Sequence, residues 1–462
     1  MVAVAGVDLV LTIGTHMVRV PSTNLCRDWH SVNLSANSCC GAQSGDNAAV
    51  KVETVRWLAS TEGQGVLSAL PDYRDSDVFA LTSGLREAGL DADQVAATLT
   101  QKRLRERAQD KFGEFAEGML FTADGLEQAT RLQLAAQHGG RFAKASTAQV
   151  YDLGCGIGAD AIALSALGVT VHAVDADPVT AAIADVNLRP WPDSRAHVGR
   201  AEDVALPVDP LRARAGVWLD PARRISGVAD SRGRTRRVFR LDEIMPSWQF
   251  VIEAATAVPA TGAKLSPSLP HDAPPLGTEA QWTSWRGEVL ECVVWWGPLV
   301  HRAGLTAQLL SPDRSPVVVD ETMAEDDPPT TRSHTALGPW LYESDRAVTR
   351  AGLLGALTAA TGGTEIEAGL GYVTAEREVD VPFARRFRVL EAMPYNVKVL
   401  RGWLRERHIT DLTIKKRGLR LDEEQLRRQL RVGRTAGDGE SATVLLTRVA
   451  GEPMAIIVER AG

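Results

Sequence analysis

Cysteine is scarce in this 462-residue chain, and its five copies fall in no useful spacing. Cys26, Cys39, Cys40, Cys155 and Cys292 make no Cys-x-x-Cys pair, which argues against a disulfide framework or zinc site and for a reducing cytoplasm. The lone histidines His138, His197 and His408 also lack metal-ligand spacing, so no metal is expected and these rings are expected to be structural. Long apolar runs are missing. The start, MVAVAGVDLVLTIGTHMVRV, carries Asp8 inside its apolar run and has no basic leading stretch. It makes a poor signal peptide and is too short for a membrane span, which needs about 20 apolar residues. A general cationic surplus is absent too. The 51 Lys and Arg against 58 Asp and Glu leave a net charge of −7, which excludes a uniformly basic nucleic-acid coat but leaves room for a local patch. Neither an internal repeat nor a low-complexity tract is present.

What is present is the composition of a globular protein, 44% apolar and 24% charged, in a chain long enough for two or three domains. Residues 21–50 are rich in Ser, Asn, Gly and Cys without periodicity, and residues 1–50 are expected to be poorly ordered. Residues 51–145 form a helical N-terminal region and entry segment, in which apolar positions recur at three and four spacing from Val52 to about Phe112, with Asp91 and Asp93 as caps before the third helix. From 146 to 318 short apolar strands alternate with helices, which predicts an α/β fold with a doubly wound, mostly parallel sheet. The Pro- and acid-rich stretch 319–334 reads as a linker. Residues 335–462 mix strands and helices again, as a small α+β domain.

The first predicted strand of the sheet runs into VYDLGCGIGAD, with Asp152, Gly154, Gly156 and Gly158 in an Asp-x-Gly-x-Gly-x-Gly pattern. Glycines here let the backbone turn tightly against a bound cofactor. The second strand ends at Asp175, 17 residues beyond Gly158, where an acidic residue takes ribose hydroxyls. Gly154, Gly156 and Ala159 would also satisfy a dinucleotide loop. Asp152 and the extra Gly158 favour S-adenosylmethionine, which has no pyrophosphate and whose cationic end tolerates a nearby carboxylate. After the third strand, Glu202 or Asp203 is the candidate for the adenine side of the cofactor, since Arg200 occupies the position where an Asp is common.

The fourth strand ends in WLDPARR, placing Asp220 and Pro221 at its C-terminal end, beside the expected cofactor. Behind them Arg223, Arg224, Arg232, Arg234, Arg236, Arg237 and Arg240 crowd a Gly- and Ser-containing loop suited to phosphates, although a solvated loop would look the same. Cys292 lies in an apolar strand and Cys155 in the glycine loop, so neither reads as an attacking thiol.

The glycine loop, Asp175 and the Asp-Pro motif resemble those of class I S-adenosylmethionine-dependent methyltransferases. The stretch KFGEFAEGMLFTADGLEQATRLQLAAQHGGRFA is similar to the entry segment of trimethylguanosine synthase-like RNA methyltransferases. From about residue 52 the whole chain resembles bacterial enzymes of this class that bear a C-terminal THUMP-like domain. The resemblance implies transfer of a methyl group to an exocyclic amine of an RNA base. In it Asp220 and the Pro221 turn would accept hydrogen bonds from the amine, and Arg223 would join them at the reaction. The chain departs from the family where Asp/Asn-Pro-Pro is followed by an aromatic residue that stacks on the base. Ala222 and Arg223 stand there, so Arg223 or Phe121 would supply the missing face.

Between Asp380 and Arg434, 15 Lys and Arg stand against 7 Asp and Glu. Arg401, Arg405, Arg407, Lys415, Lys416 and Arg417 are the candidate RNA phosphate contacts, while pairing with Glu391, Glu406 and Glu423 on solvated faces is the alternative. Two other functions fit the same residues: a small-molecule or protein methyltransferase, and a catalytically silent S-adenosylmethionine-binding RNA-binding protein.

Overall fold

The computed structural model describes residues 9–13, 16–20, 51–209, 211–223, 240–430 and 440–461. Within 1–50, where no regular structure was expected, Leu9–Ile13 and His16–Val20 pair as an antiparallel hairpin. Six helices follow it. They are α1 (Val52–Leu58), α2 (Thr61–Ala69), α3 (Val78–Glu87), α4 (Ala92–Phe112), α5 (Ala123–Gln128) and α6 (Leu132–Lys144). The start of α4 is set by Asp91, whose carboxylate accepts from the Gln94 N–H at 2.8 Å while Gln94 Oε1 accepts from the Asp91 N–H at 3.0 Å. This reciprocal cap satisfies two amides that would otherwise lack partners.

The chain forms a nine-stranded, mainly parallel α/β sheet and a separate seven-stranded sheet. It divides into two compact units, residues 1–264 with 296–299 and residues 265–295 with 300–462. The first unit holds β1 (Gln149–Leu153), β2 (Thr170–Asp175), β3 (Arg195–Val198), β4 (Ala215–Leu219) and β5 (Ala260–Leu265). They run parallel in the spatial order β5–β4–β1–β2–β3. Order reverses beside β1, and such a switch point opens a crevice beyond the strand C-termini. The helices of this layer are α7 (Ala159–Ala166), α8 (Pro178–Leu188) and α9 (Trp248–Ala257). Strand β4 is buried along its whole length, and Val217 and Leu219 join Leu153, Val251, Val258 and Ala263 in one apolar cluster. Burial on both faces explains why β4 reads as an unbroken apolar run.

In the second unit β6 (Glu279–Trp285), β7 (Glu288–Trp295), β8 (Gly304–Ser311) and β9 (Arg314–Asp320) mix parallel and antiparallel pairing. The expected boundary at 319–334 does not separate these strands from the C-terminal residues, which share their unit. That stretch is itself tied down. Thr331 is buried and its N–H donates to the Glu365 carbonyl at 2.7 Å, while the Glu365 N–H donates to the Pro329 carbonyl at 2.7 Å. The Pro- and acid-rich stretch is thus joined to Glu365 through Pro329 and Thr331.

The seven-stranded sheet contains β10 (Trp340–Ser344), β11 (Thr364–Glu365), β12 (Tyr372–Ala375), β13 (Ala384–Pro394), β14 (Ile409–Lys416), β15 (Glu440–Val449) and β16 (Glu452–Arg460). Helices α10 (Arg346–Arg350), α11 (Gly355–Thr361), α12 (Val397–Glu406) and α13 (Glu423–Leu430) complete the unit. Leu400, Leu404, Leu426 and Leu430 of the last two helices pack with Leu412, Ile414, Val444 and Ile457 of the sheet. Among the described residues no helix is long and apolar enough to cross a membrane.

Candidate active site

Strand β1 delivers the chain into the glycine loop, where Gly154, Gly156 and Gly158 take φ of 94°, 55° and 88°. A side chain would be strained at each. At Gly154 it would also bring a Cβ within 3.2 Å of the Asp220 carbonyl oxygen, so this glycine lets two loops touch, whereas the space over Gly156 is open. The loop is pinned to β2. The Gly154 and Cys155 N–H groups donate to the Val174 carbonyl, and the Gly156 N–H donates to Asp175 Oδ2 at 3.0 Å. Asp175 Oδ1 also accepts from the Asp177 N–H at 2.9 Å. Burial raises the Asp175 carboxyl above its ordinary range, although these two amides pull against it.

Asp152, the last but one residue of β1, is 1% exposed, and neither of its oxygens has a hydrogen-bond partner. Burial, then the neighbouring charges of Asp160 and Asp220, push its carboxyl well above the usual carboxylate range. A buried carboxyl with no partner is costly. It fits a cationic group arriving from outside, and the glycine cradle fits a cofactor laid against backbone. The residues therefore suit S-adenosylmethionine.

Asp220 and Pro221 lie directly after β4. The Asp220 side chain is 36% exposed and its Oδ2 lies 2.5 Å from Lys264 Nζ, on β5. Lys264 also donates to Thr130 Oγ1 at 2.8 Å, and the Thr130 hydroxyl donates to Asp160 Oδ2 at 2.8 Å. Asp160 Oδ1 faces His138 Nδ1 at 2.8 Å. Burial alone would raise the Asp160 carboxyl; the hydrogen bonds and charges of His138, Lys264 and Thr130 outweigh it and hold it below its ordinary value. His138 is thus structural in the sense the sequence implied, with its ring 4.6 Å from that of Trp218. Lys264 was missed by sequence reasoning, although a lysine inside the otherwise apolar ATGAKL strand is the signal that could have found it.

The entry segment is laced down by buried polar side chains, also missed. Gln101 Nε2 donates to the Phe121 carbonyl at 2.7 Å and its Oε1 accepts from the Phe121 N–H at 3.0 Å. Arg105 Nε donates to the Met119 carbonyl, and burial lowers this guanidinium to about 10. Asn187 on α8 accepts from the Leu120 N–H and donates to the carbonyls of Leu120 and Ile157, joining the segment to the glycine loop. Lys111 caps the carbonyls of Leu126, Glu127 and Ala129, and burial lowers its ammonium to about 8. This lacing corrects the expectation for Phe121. Its ring is 0% exposed and packs on Phe112 at 5.6 Å, so it offers no open face to a base.

Arg223 lies on a two-residue strand, Ala222–Arg223, paired with Ile244–Met245. Arg224, Arg232, Arg234, Arg236 and Arg237 fall outside the described residues. Glu202 is ion-paired with Arg200 at 3.4 Å at the end of β3. Cys155 and Cys292 are free and buried, with thiols pushed well up by burial, as expected of inert cysteines. Among the described residues no cluster of His, Cys, Asp and Glu gathers to hold a metal ion.

In the second unit the predicted cations separate. Lys415 is half-buried, paired with Glu343 and 4.9 Å above the Phe387 ring. Arg417 lies 5.8 Å from the Tyr372 ring centre. Arg407 stacks on Trp403 at 4.3 Å and pairs with Glu391. Lys416 is exposed and donates to the Leu421 carbonyl, and Arg401 reaches the Gln429 carbonyl at 3.5 Å.

A parallel sheet with a glycine cradle, an acidic residue ending the second strand and a carboxylate ending the fourth defines a nucleotide-cofactor enzyme of the methyltransferase class. Over 339 residues the chain is 30% identical to an uncharacterized S-adenosylmethionine-dependent methyltransferase of Mycobacterium tuberculosis, spanning 71% of this chain and 87% of the relative. The corresponding protein of a second strain matches equally. A candidate methyltransferase structure from Porphyromonas gingivalis W83 superposes with a TM-score of 0.64 at 19% identity, over 84% of this chain and 100% of that one. Residues 384–460 match the THUMP domain-like family, and residues 51–108 match a domain of unknown function. The chain belongs to the S-adenosylmethionine-dependent methyltransferases, and it carries a C-terminal THUMP-like domain.

Proposed function

We propose that this methyltransferase acts on an exocyclic amine of an RNA base. The observation that carries the reading is the Asp220 carboxylate, half-exposed after β4, touching the glycine loop through its own backbone and held by Lys264. S-adenosylmethionine supplies an already activated methyl group. The protein's task is then alignment and desolvation rather than strong base chemistry. An anionic oxygen at Asp220 accepts hydrogen bonds from an N–H, and with the Pro221 turn orients an amine, whereas it repels a carbonyl oxygen. Arg223, two residues beyond Pro221, would stack on the base by its guanidinium plane.

RNA as the substrate is supported by the THUMP domain-like match at 384–460 and by the cationic excess between 380 and 434. Exposed Lys416 and half-buried Arg401 are the leading phosphate contacts; such contacts position a strand without reading it. Arg224, Arg234, Arg236 and Arg237 are the further candidate phosphate contacts in sequence. The buried, free thiols of Cys155 and Cys292 accord with work in a reducing cytoplasm.

The test offers purified protein and methyl-labelled S-adenosylmethionine to bulk RNA, protein extract and small-molecule extract from a strain lacking the gene, with Asp220→Ala as control. Label entering one RNA size class, and absent with the variant, is the expected outcome. Label confined to protein or small molecules would sink the RNA reading, and no label in any fraction would favour a silent cofactor-binding protein.

A further inference from the structure

Lys264 is the one basic residue of β5, and its partners include the Asp220 carboxylate and the Thr130 hydroxyl. Its side chain is 13% exposed. The carboxylates gathered around it arrive from three elements: Asp152 from β1, Asp160 from α7 and Asp220 from the end of β4. Asp175 at the end of β2 acts on the same cluster, His138 of α6 backs Asp160, and Lys111 of α4 is a further cation near Lys264. The chain of contacts has a fixed donor order. Lys264 donates to Thr130, and Thr130, having only one hydrogen, donates it to Asp160. Thr130 therefore cannot donate back to Lys264, and the ammonium keeps its charge aimed at Asp220.

We propose that Lys264 is a positioning residue for methyl transfer. It holds Asp220 ionised and turned toward the incoming amine, and through Thr130 it ties that carboxylate to the segment just before α6. The proposal rests on the reading of Asp220 as amine acceptor. An opposite charge at contact distance favours the ionised carboxylate. Removing it takes away the ammonium in contact with Asp220 while Asp152 stays near enough to repel its charge, so Asp220 takes up a proton more readily and is held less firmly in the acceptor role.

The experiment uses full-length protein, labelled S-adenosylmethionine and whichever bulk fraction accepts label from the wild type. Lys264→Gln keeps a hydrogen-bond donor and removes the charge; Lys264→Arg keeps the charge. Lys264→Gln is expected to lower kcat about 10–100-fold, the scale of a misplaced reacting group. Its KM for S-adenosylmethionine should hold, and the acid limb of its pH–rate profile should move upward by about one unit or more. Lys264→Arg should restore the acid limb to its wild-type position. Calorimetric binding of S-adenosylhomocysteine to each variant reports whether the cradle is intact, independently of turnover. Profiles of Lys264→Gln and wild type that superimpose would overturn the proposal, as would equal losses in Gln and Arg variants with no change of profile. If instead Asp220→Ala retains full activity, the reading of Asp220 falls first, and that result is separate from the behaviour of Lys264.

Discussion

Asp152 and Lys415 are both ionisable residues withdrawn from water on strands, yet their surroundings differ in kind. Asp152 has no hydrogen-bond partner, whereas Lys415 is seated against Glu343 and over the Phe387 ring. The first arrangement is unstable unless something else supplies a charge; the second is complete as it stands. A residue poised for a ligand and a residue that stabilises the fold can carry the same sequence signature of a charge at a strand position. What separates them is whether the folded chain already satisfies them.

The sharpest way to break that comparison is at Asp220, which stands between the two cases: paired with Lys264 but still open. Asp220→Ala is expected to cut methyl transfer by at least about 10²-fold, as loss of an electrostatic group at the reacting centre does. Cofactor affinity should stay within a few-fold of wild type. Parallel turnover and calorimetry would settle it, and a variant that loses both together would place Asp220 in the cradle instead.

Next in size is Asp152→Asn, which keeps shape and burial while removing the charge. The variant should fold at least as well, because the carboxyl it replaces is buried without partners, and it should bind S-adenosylmethionine about 10–100-fold more weakly. The sign of the pH effect follows from the raised carboxyl. Below the unfolded-state value, near 3.9, both states hold the proton and Asp152 leaves stability unchanged. As pH rises toward its raised native value the unfolded chain loses its proton first, so stability falls across that window and levels off above it. A cation binding beside Asp152 favours the ionised form, so cofactor uptake in the window should release a proton and tighten with pH. Calorimetry in two buffers of different ionisation enthalpy measures that proton; finding the same release in Asp152→Asn would move the linkage to another group, Asp175 being the next candidate.

The sheet and the loop were legible in the sequence because both are written locally. Short apolar strands, a D-x-G-x-G-x-G run and an Asp-Pro after the fully buried AGVWL strand each declare themselves within about ten residues. Lys264, Gln101, Arg105 and Asn187 were not legible, since each acts on a backbone or carboxylate far away in sequence, as Asn187 does on Leu120 and Ile157. Phe121 was misread for the same reason. An aromatic residue in an entry segment looks available until Gln101 and Phe112 fix it in the core. The cationic excess at 380–434 was visible as composition, but which of its members are spent on Glu343, Glu391 and Glu423 depended on strand register and helix phase.

That division predicts a smaller, opposed pair of effects in the second unit. Arg401→Ala should weaken RNA binding across sequences and lower the salt slope by about 1, as expected for one phosphate contact. Lys415→Ala should leave the slope alone and cost about 1–3 kcal/mol of stability, because it leaves half-buried Glu343 without its ammonium, with the Tyr372 hydroxyl still donating to it. Binding at several salt concentrations and thermal unfolding of both variants test the pair. The reversed pattern would make Lys415 the phosphate contact and the Glu343 pairing incidental.

The smallest effect separates stability of the scaffold from organisation of the site. Asp91→Ala removes the cap of α4 and should cost about 1 kcal/mol, a shift of a few degrees or less in Tm. Gln101 and Arg105, which hold the entry segment, sit more than two turns further along the same helix, beyond the reach of fraying at its first turn. Cofactor affinity and turnover at a temperature well below Tm should therefore match wild type. If cofactor affinity falls in step with stability, the first turn of α4 and the Asn187-anchored glycine loop unfold as one cooperative piece, and the lacing of residues 119–121 is then part of cofactor binding itself.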